Sequence, residues 1–232
     1  MNFVKTFSIS ASGQQGDCRF CGYFHGRQSR KDVDRPWIRA EGYAALVSIG
    51  ALVKGWTLVS PILHDLNMRT HYKNPEFWSF ASEVERIVRE QYGPVAVFEH
   101  GAISETSATG CGTGHAHVHF VPLNFTLSLA ARKFDESRTW TECLASDVER
   151  LSDGREYLFM SDSFRQERTP GYLCVLEEGT SQFFRKVIAD KLGIPDLYDY
   201  KIHSMQDIAD SSVKQLRAAS ENSEYGEKVA SV

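Results

Sequence analysis

The sequence predicts an α+β fold, an antiparallel sheet with packed helices followed by a C-terminal α/β extension. Three observations carry this. Two apolar runs, 42–50 and 56–62, flank a short connection bounded by Gly50 and Gly55, the pattern of an antiparallel hairpin. One long stretch, 74–93, has clean helical periodicity. Beyond it, two further strand-like runs enclose a loop of small and polar residues, and the second of them lies in the segment GCGTGHAHVHFVP, Gly110 to Pro122.

Taken in order, residues 1–16 read as a flexible lead-in, because the polar run SASGQQGD that closes the segment has no apolar periodicity. In the hairpin, Pro61 ends the second strand. In NPEFWSFASEVERIVREQYGP, the side chains of Phe77, Phe80, Ala81, Val84, Ile87 and Val88 share one helical face; Asn74 caps it, Pro75 suits the first turn, and Gly93-Pro94 stops it. PVAVFEHG, 94–101, reads as a strand and AISETSATGCGTG as a loop. The later third predicts a helix around Thr139 to Leu151, strands in REYLFMSD and GYLCVLEEG, and a helix in SQFFRKVIADKLG that ends at Gly193 before Pro195. Serine, glutamate and lysine dominate after Ala218. The expected organisation is therefore a main domain at 17–125, an extension at 126–218 packed on it, and a frayed tail at 219–232.

With 232 residues, 42% of them hydrophobic, the chain can bury one substantial core. A net charge of -4 and a pI near 6.1 argue against long DNA or RNA as a partner. No run approaches the ~18 apolar residues of a membrane span, and the start lacks a signal-length apolar run, so the expected location is the cytoplasm without membrane attachment. Five cysteines include the pair Cys18-x-x-Cys21, which in a reducing compartment points to metal or redox chemistry before disulfides.

In a strand, side chains alternate faces, so His115, His117 and His119 point one way and Ala116, Val118 and Phe120 the other, into the core. Same-face neighbours repeat at ~6.6 Å, which predicts a row of three imidazoles at the surface of a packed sheet. Gly110, Gly112 and Gly114 just before them can expose successive amide N–H groups, an arrangement that cradles an anion. The competing reading of a His-x-His pair is a zinc site.

His115-Ala116-His117-Val118-His119-Phe120-Val121 resembles the signature of the histidine triad superfamily of nucleotide hydrolases and transferases, in which three histidines alternate with apolar residues. Other landmarks fall in the same order: Cys18-Arg19-Phe20-Cys21, the run from Gly55 to His64, and Phe98-Glu99-His100-Gly101, so that the resemblance spans roughly 17–123. It implies nucleophilic attack by His117 at the α-phosphorus of a nucleotide, with a covalent nucleotidyl-imidazole intermediate. Neutral imidazole, with a pKa of ~6.5, is a competent nucleophile at neutral pH. His117 needs its Nδ1–H held by a backbone carbonyl so that Nε2 faces phosphorus. His119 would hydrogen-bond the phosphate or assist the leaving group, and the loop amides around Gly112 and Gly114 would meet developing charge.

The resemblance also assigns a structural Zn²⁺ to Cys18, Cys21, His64 and His115, a closed tetrahedral set. Glu99 stands where relatives often carry an Asn or Gln that contacts substrate. A carboxylate repels phosphate unless protonated or paired, so Glu99 or His100 is expected to contact sugar hydroxyls or to orient a histidine. Trp56 replaces a histidine common in smaller members, and packing in the core is the favoured role over bordering the base pocket. Arg185, in a Gln-Phe-Phe-Arg helix, either reaches a phosphate across the cleft or is a solvated surface residue. Asp65, Arg69 and His71 read as surface residues. The implied activity is hydrolysis of a nucleoside phosphoanhydride or phosphoramidate, such as a dinucleoside polyphosphate. The alternatives are a nucleotidyltransferase or phosphorylase, and a zinc-stapled module that binds a nucleotide without turnover. Homodimers are common in the family, and an added domain can cover the usual interface, so both states stay open.

Overall fold

The computed structural model describes residues 18–26, 31–166, 168–221 and 223–225. One antiparallel sheet of eight strands runs through the molecule in the order β1-β2-β3-β5-β4-β7-β8-β6. The strands are β1 (Ile38–Arg39), β2 (Tyr43–Val47), β3 (Thr57–Pro61), β4 (Val95–Gly101), β5 (Val118–Pro122), β6 (Thr141–Leu144), β7 (Tyr157–Ser161) and β8 (Pro170–Val175). The helices are α1 (Arg19–Phe24), α2 (Pro75–Tyr92), α3 (Leu127–Phe134), α4 (Val148–Ser152), α5 (Phe183–Lys191) and α6 (Gln206–Ser220). The fold is α+β, as the sequence predicts. No described helix is long and apolar enough to cross a membrane.

The hairpin of β2 and β3 forms in the expected place, with Ala45 opposite Val59. Helix α2 starts where its signals put it: the Asn74 side chain accepts from the Glu76 N–H, and Gly93, at φ 95°, ends it. Its apolar stripe and that of α6 cover one face of the sheet, where Val59, Val97, Val118 and Phe120 meet Phe77, Val84, Val213 and Leu216. The other face is covered by α1, α3 and α5, whose Phe20, Leu127 and Phe184 join Leu58, Phe98, Val121 and Met160 in a second apolar layer. Strand β7 pairs with β4, so the chain beyond residue 125 extends the same sheet.

Several elements differ from expectation. Only the end of the stretch 139–151 is helical. Thr141 and Glu142 are exposed and Cys143 is buried, an alternation that suits an edge strand, and β6 pairs with β8. Helices α1, α3 and α6 were not anticipated, although Leu127, Ala130 and Ala131 of α3 have helical spacing and are buried. Helix α6 runs to Ser220, and beyond it Ser223 is buried and Tyr225 packs edge-on against Phe80. The lead-in at 1–16 and the last part of the expected tail, 226–232, lie outside the described residues.

The histidine row does not lie at the surface. His115 and His119 retain 2% and 7% of their accessible area, because the face expected to meet solvent is the one roofed by α1, α3 and α5. The alternation itself is as predicted: Ala116, Val118 and Phe120 are buried on the α2 side.

Alternation along β4 also relocates Glu99. Phe98 and His100 face the histidines, whereas Glu99 points the other way, into the layer under α2 and away from the histidine row. The expected substrate contact at Glu99 is thus corrected. Its carboxylate is completely buried and accepts from the Met68 N–H at 2.7 Å, the Tyr72 hydroxyl at 2.7 Å and the Tyr157 hydroxyl at 2.8 Å. Burial outweighs these three donors and pushes its pKa up from 4.5 to about 7. A carboxyl raised in the folded state contributes stability that is complete below pH 4.5 and lost as pH rises through about 7. Converted at 1.4 kcal/mol per pKa unit, that loss is about 3 kcal/mol. Glu99→Gln removes the charge, keeps one acceptor oxygen for the Met68 N–H, and presents an NH2 to the tyrosine hydroxyls, which can accept. Urea unfolding across this range should show the variant gaining on the wild type as pH rises; a gap that does not change with pH would contradict the buried-carboxyl account.

Candidate active site and metal centre

Sheet register builds the centre of the site. Leu58 of β3, His119 of β5, Phe98 of β4 and Met160 of β7 lie side by side across four strands on one face. The Phe98 and His119 rings stack at 4.3 Å between centroids. Phe184 of α5 stacks on the far side of this group, 4.6 Å from Phe98. Trp56 is fully buried, and its indole Nε1–H donates to His119 Nδ1 at 2.9 Å. The expected packing role is therefore accompanied by a polar one that the sequence did not disclose.

His117 is half-buried, and its Nδ1 lies 2.8 Å from the carbonyl oxygen of His115. A carbonyl only accepts, so that Nδ1 carries the proton and Nε2 holds a lone pair. An indole N–H only donates, so His119 Nδ1 is bare and its proton sits on Nε2. The two neighbouring imidazoles, with centroids 4.8 Å apart, are thus held in opposite tautomers. Burial lowers the pKa of both, that of His119 well below 6.5, with the charges of His117, His100 and Arg185 adding to the effect at His119. His100 lines the same pocket, 6.2 Å from His119 between ring centroids. It is buried, its Nε2 has no hydrogen-bond partner, and burial drives its pKa down to about 3.

Four residues expected to hold a metal converge beside this row. Cys18 caps α1 and Cys21 follows one turn later, which puts both sulfurs on one side of the helix. His64 follows β3, and His115 precedes β5. Their four donor atoms lie within 4.8 Å of one another. Sγ of Cys18 is 3.3 Å from His115 Nδ1, and Sγ of Cys21 is 3.4 Å from His64 Nδ1 and 3.6 Å from His115 Nδ1. Metal–sulfur and metal–nitrogen bonds of ~2.3 and ~2.0 Å at a tetrahedral angle put S and N about 3.5 Å apart, so the group could hold a metal ion. The outer imidazole nitrogens have partners: His115 Nε2 meets the Pro61 carbonyl at 2.9 Å, and His64 Nε2 lies 3.4 Å from Glu105.

Helix α5 closes the pocket from above. Arg185 is buried, not solvated; its Nε donates to the Tyr198 carbonyl at 2.8 Å, it also donates to the Gly50 carbonyl, and its guanidinium carbon sits 4.8 Å over the Trp56 ring. Among the described residues no carboxylate pairs with it, and burial lowers its pKa to about 10. Among the described residues, the wall of the pocket contains Arg19 and Arg185 and no acidic residue. Its free volume is about 50 Å³, the scale of a few waters.

The glycine loop contributes differently from expectation. Gly112 and Gly114 take left-handed corners, at φ 79° and 56°, and the pocket wall is formed by Cys111 and Thr113 instead. The amides of these two residues are already committed to the Ala108 and Gly110 carbonyls. Cys111 is itself left-handed, at φ 55°, and is clamped by the Tyr200 hydroxyl on its carbonyl at 2.5 Å and by the Gln182 N–H on its sulfur at 3.2 Å. Tyr200 carried no signal in the sequence. Asp65 and His71 are half-buried; the Asp65 carbonyl accepts from Ala116 N–H at 2.6 Å and pins the start of the histidine run.

No protein-family model matches the chain, and no curated protein matches it. Among solved structures it is similar to a protein of Streptococcus mutans UA159 (22% identity, TM-score 0.38), the match covering 50% of this chain and 71% of that one. It is also similar to a Hit-like protein of Bartonella henselae described as involved in cell-cycle regulation (16% identity, TM-score 0.34), over 44% of this chain and 77% of that one.

If the four converging side chains are a metal centre, protein purified without chelator should contain about one equivalent of metal by elemental analysis. Cys18→Ser and His64→Ala should each lose most of it. Metal-free wild type, or variants that keep a full equivalent, would dismiss the centre.

Proposed function

We propose that this protein is a nucleotide hydrolase that acts at the α-phosphorus of a nucleoside phosphoanhydride or phosphoramidate through a covalent intermediate on His117. The observation that carries this reading is the opposed tautomers of His117 and His119 at the wall of a cationic pocket without carboxylates. The lone pair of His117 Nε2 attacks phosphorus, and the bond to the leaving group breaks. The His115 carbonyl holds the Nδ1 proton and steadies the positive charge that the nucleotidylated ring acquires. His119 Nε2–H and Arg185 supply donors to the phosphoryl oxygens. Water then attacks phosphorus and gives up a proton to the solvent, the P–N bond breaks, and its electron pair returns to His117. The small pocket suits a phosphoryl group, with sugar and base left outside it.

Cys18, Cys21, His64 and His115 would hold zinc in this reading. Two thiolates and two imidazoles complete a tetrahedral shell, so the ion would tie α1 to the histidine run and supply folding energy, leaving the chemistry to the chain's own side chains. His115 is thereby separated in role from the other two.

His117→Ala should lower hydrolysis of dinucleoside polyphosphates by on the order of 10⁴-fold or more while leaving thermal unfolding near that of the wild type. Rapid quenching of the wild type should reveal a nucleotidyl group on the peptide that contains His117. Turnover that survives the substitution removes the nucleophile. Product formed only with added phosphate or sugar phosphate assigns the second step to transfer, and binding without product assigns the protein as a binding module.

A further inference from the structure

The hydrogen bond from Trp56 sets what His119 can do with its proton. In the tautomer that the indole N–H requires, neutral His119 carries a single proton, on Nε2. It can donate that proton in a hydrogen bond but cannot release it, because the product would be an imidazolate. To serve as a general acid it would need a second proton, on Nδ1, which would then face the indole N–H donor. Its surroundings oppose this: the ring is buried, stacked on Phe98, and flanked by His117, His100 and the Arg185 guanidinium.

We infer that Trp56 is a positioning residue that makes His119 a fixed hydrogen-bond donor, so that the site selects phosphoanhydrides over phosphoramidates. This rests on the reading of His117 as the nucleophile. With a phosphoanhydride, the P–N bond to His117 forms as the P–O bond breaks, and the electron pair leaves on a phosphate oxygen that is stable as an anion. With a phosphoramidate, the pair would leave on an amine nitrogen, which needs a proton at that moment. His119 in its Trp56-bound tautomer does not deliver one.

Two measurements test this. Long-range ¹H–¹⁵N spectra of histidine-labelled protein report the tautomer of His119 without any substrate. A bare Nδ1 and protonated Nε2 are expected; an Nδ1–H or doubly protonated ring near neutral pH overturns the lock. In parallel, kcat/KM is compared for diadenosine tetraphosphate and adenosine phosphoramidate, which share the attacked nucleotide. Since general acid catalysis is worth roughly 10²–10⁴-fold, the wild type should favour the anhydride by about 100-fold or more. Trp56→Phe keeps an aromatic ring and removes the N–H. With no donor facing it, His119 Nδ1 can then take up a second proton, which should reduce the preference about tenfold or more, with folding checked by thermal unfolding. Equal rates on the two substrates by a wild type whose tautomer is as assigned overturn the selectivity, whether or not the variant folds. A wild type that turns over neither substrate overturns the proposed hydrolase itself, while the spectrum still decides the lock.

Discussion

The carbonyl and the imidazole of His115 serve two different neighbours, and the site depends on that division. Its carbonyl oxygen holds the Nδ1 proton of His117 at 2.8 Å, while its ring lies between the cysteines of α1 and the Pro61 carbonyl. One turn of backbone therefore fixes both the tautomer of His117 and the place of α1. The hydrogen bond from Ala116 N–H to the Asp65 carbonyl and that from Ser60 Oγ to the Ala116 carbonyl pin the same turn to the end of β3. Phe20 of α1 packs on His115 and His117 together, at 5.4 and 5.7 Å between centroids.

Desolvation governs the rest of the chemistry. A single sheet with helices on both faces buries His100 and His119 and leaves them neutral, since a charged imidazole there would lose its hydration beside Arg185. Helix α5, from the second half of the chain, supplies the roof: Phe184 covers Phe98, and Arg185 reaches over Trp56. Among the described residues the guanidinium is met by carbonyls and rings and by no carboxylate. The acidic residue that adjoins the site in sequence, Glu99, is turned through the sheet to the opposite layer, where tyrosine hydroxyls satisfy it. Alternation along one strand thus turns a carboxylate away from the histidine row and sends the neutral His100 toward it.

The local sequence determined a good deal. Period-two alternation in the run His115 to Val121, the helical stripe of α2, the Gly-bounded hairpin and the Cys-x-x-Cys pair are all short-range patterns, legible because each repeats the geometry of a single element. They sufficed for the fold class and for the Cys-x-x-Cys pair; His64 and His115 joined that pair as metal-ligand candidates only through the resemblance. Tertiary structure alone decided that the histidine face of the strand would be dry as well, that Gln182 and Arg185 would be buried, that Glu99 would be spent in the other layer, and that Tyr200 would clamp Cys111. It also decided that Trp56 would touch His119, sixty-three positions away, through the pairing of β3 with β5. The physical reason is the same in each case: burial and hydrogen bonding are properties of what lies across the gap between elements, and a run of residues read alone carries its own periodicity but not the identity of its neighbours.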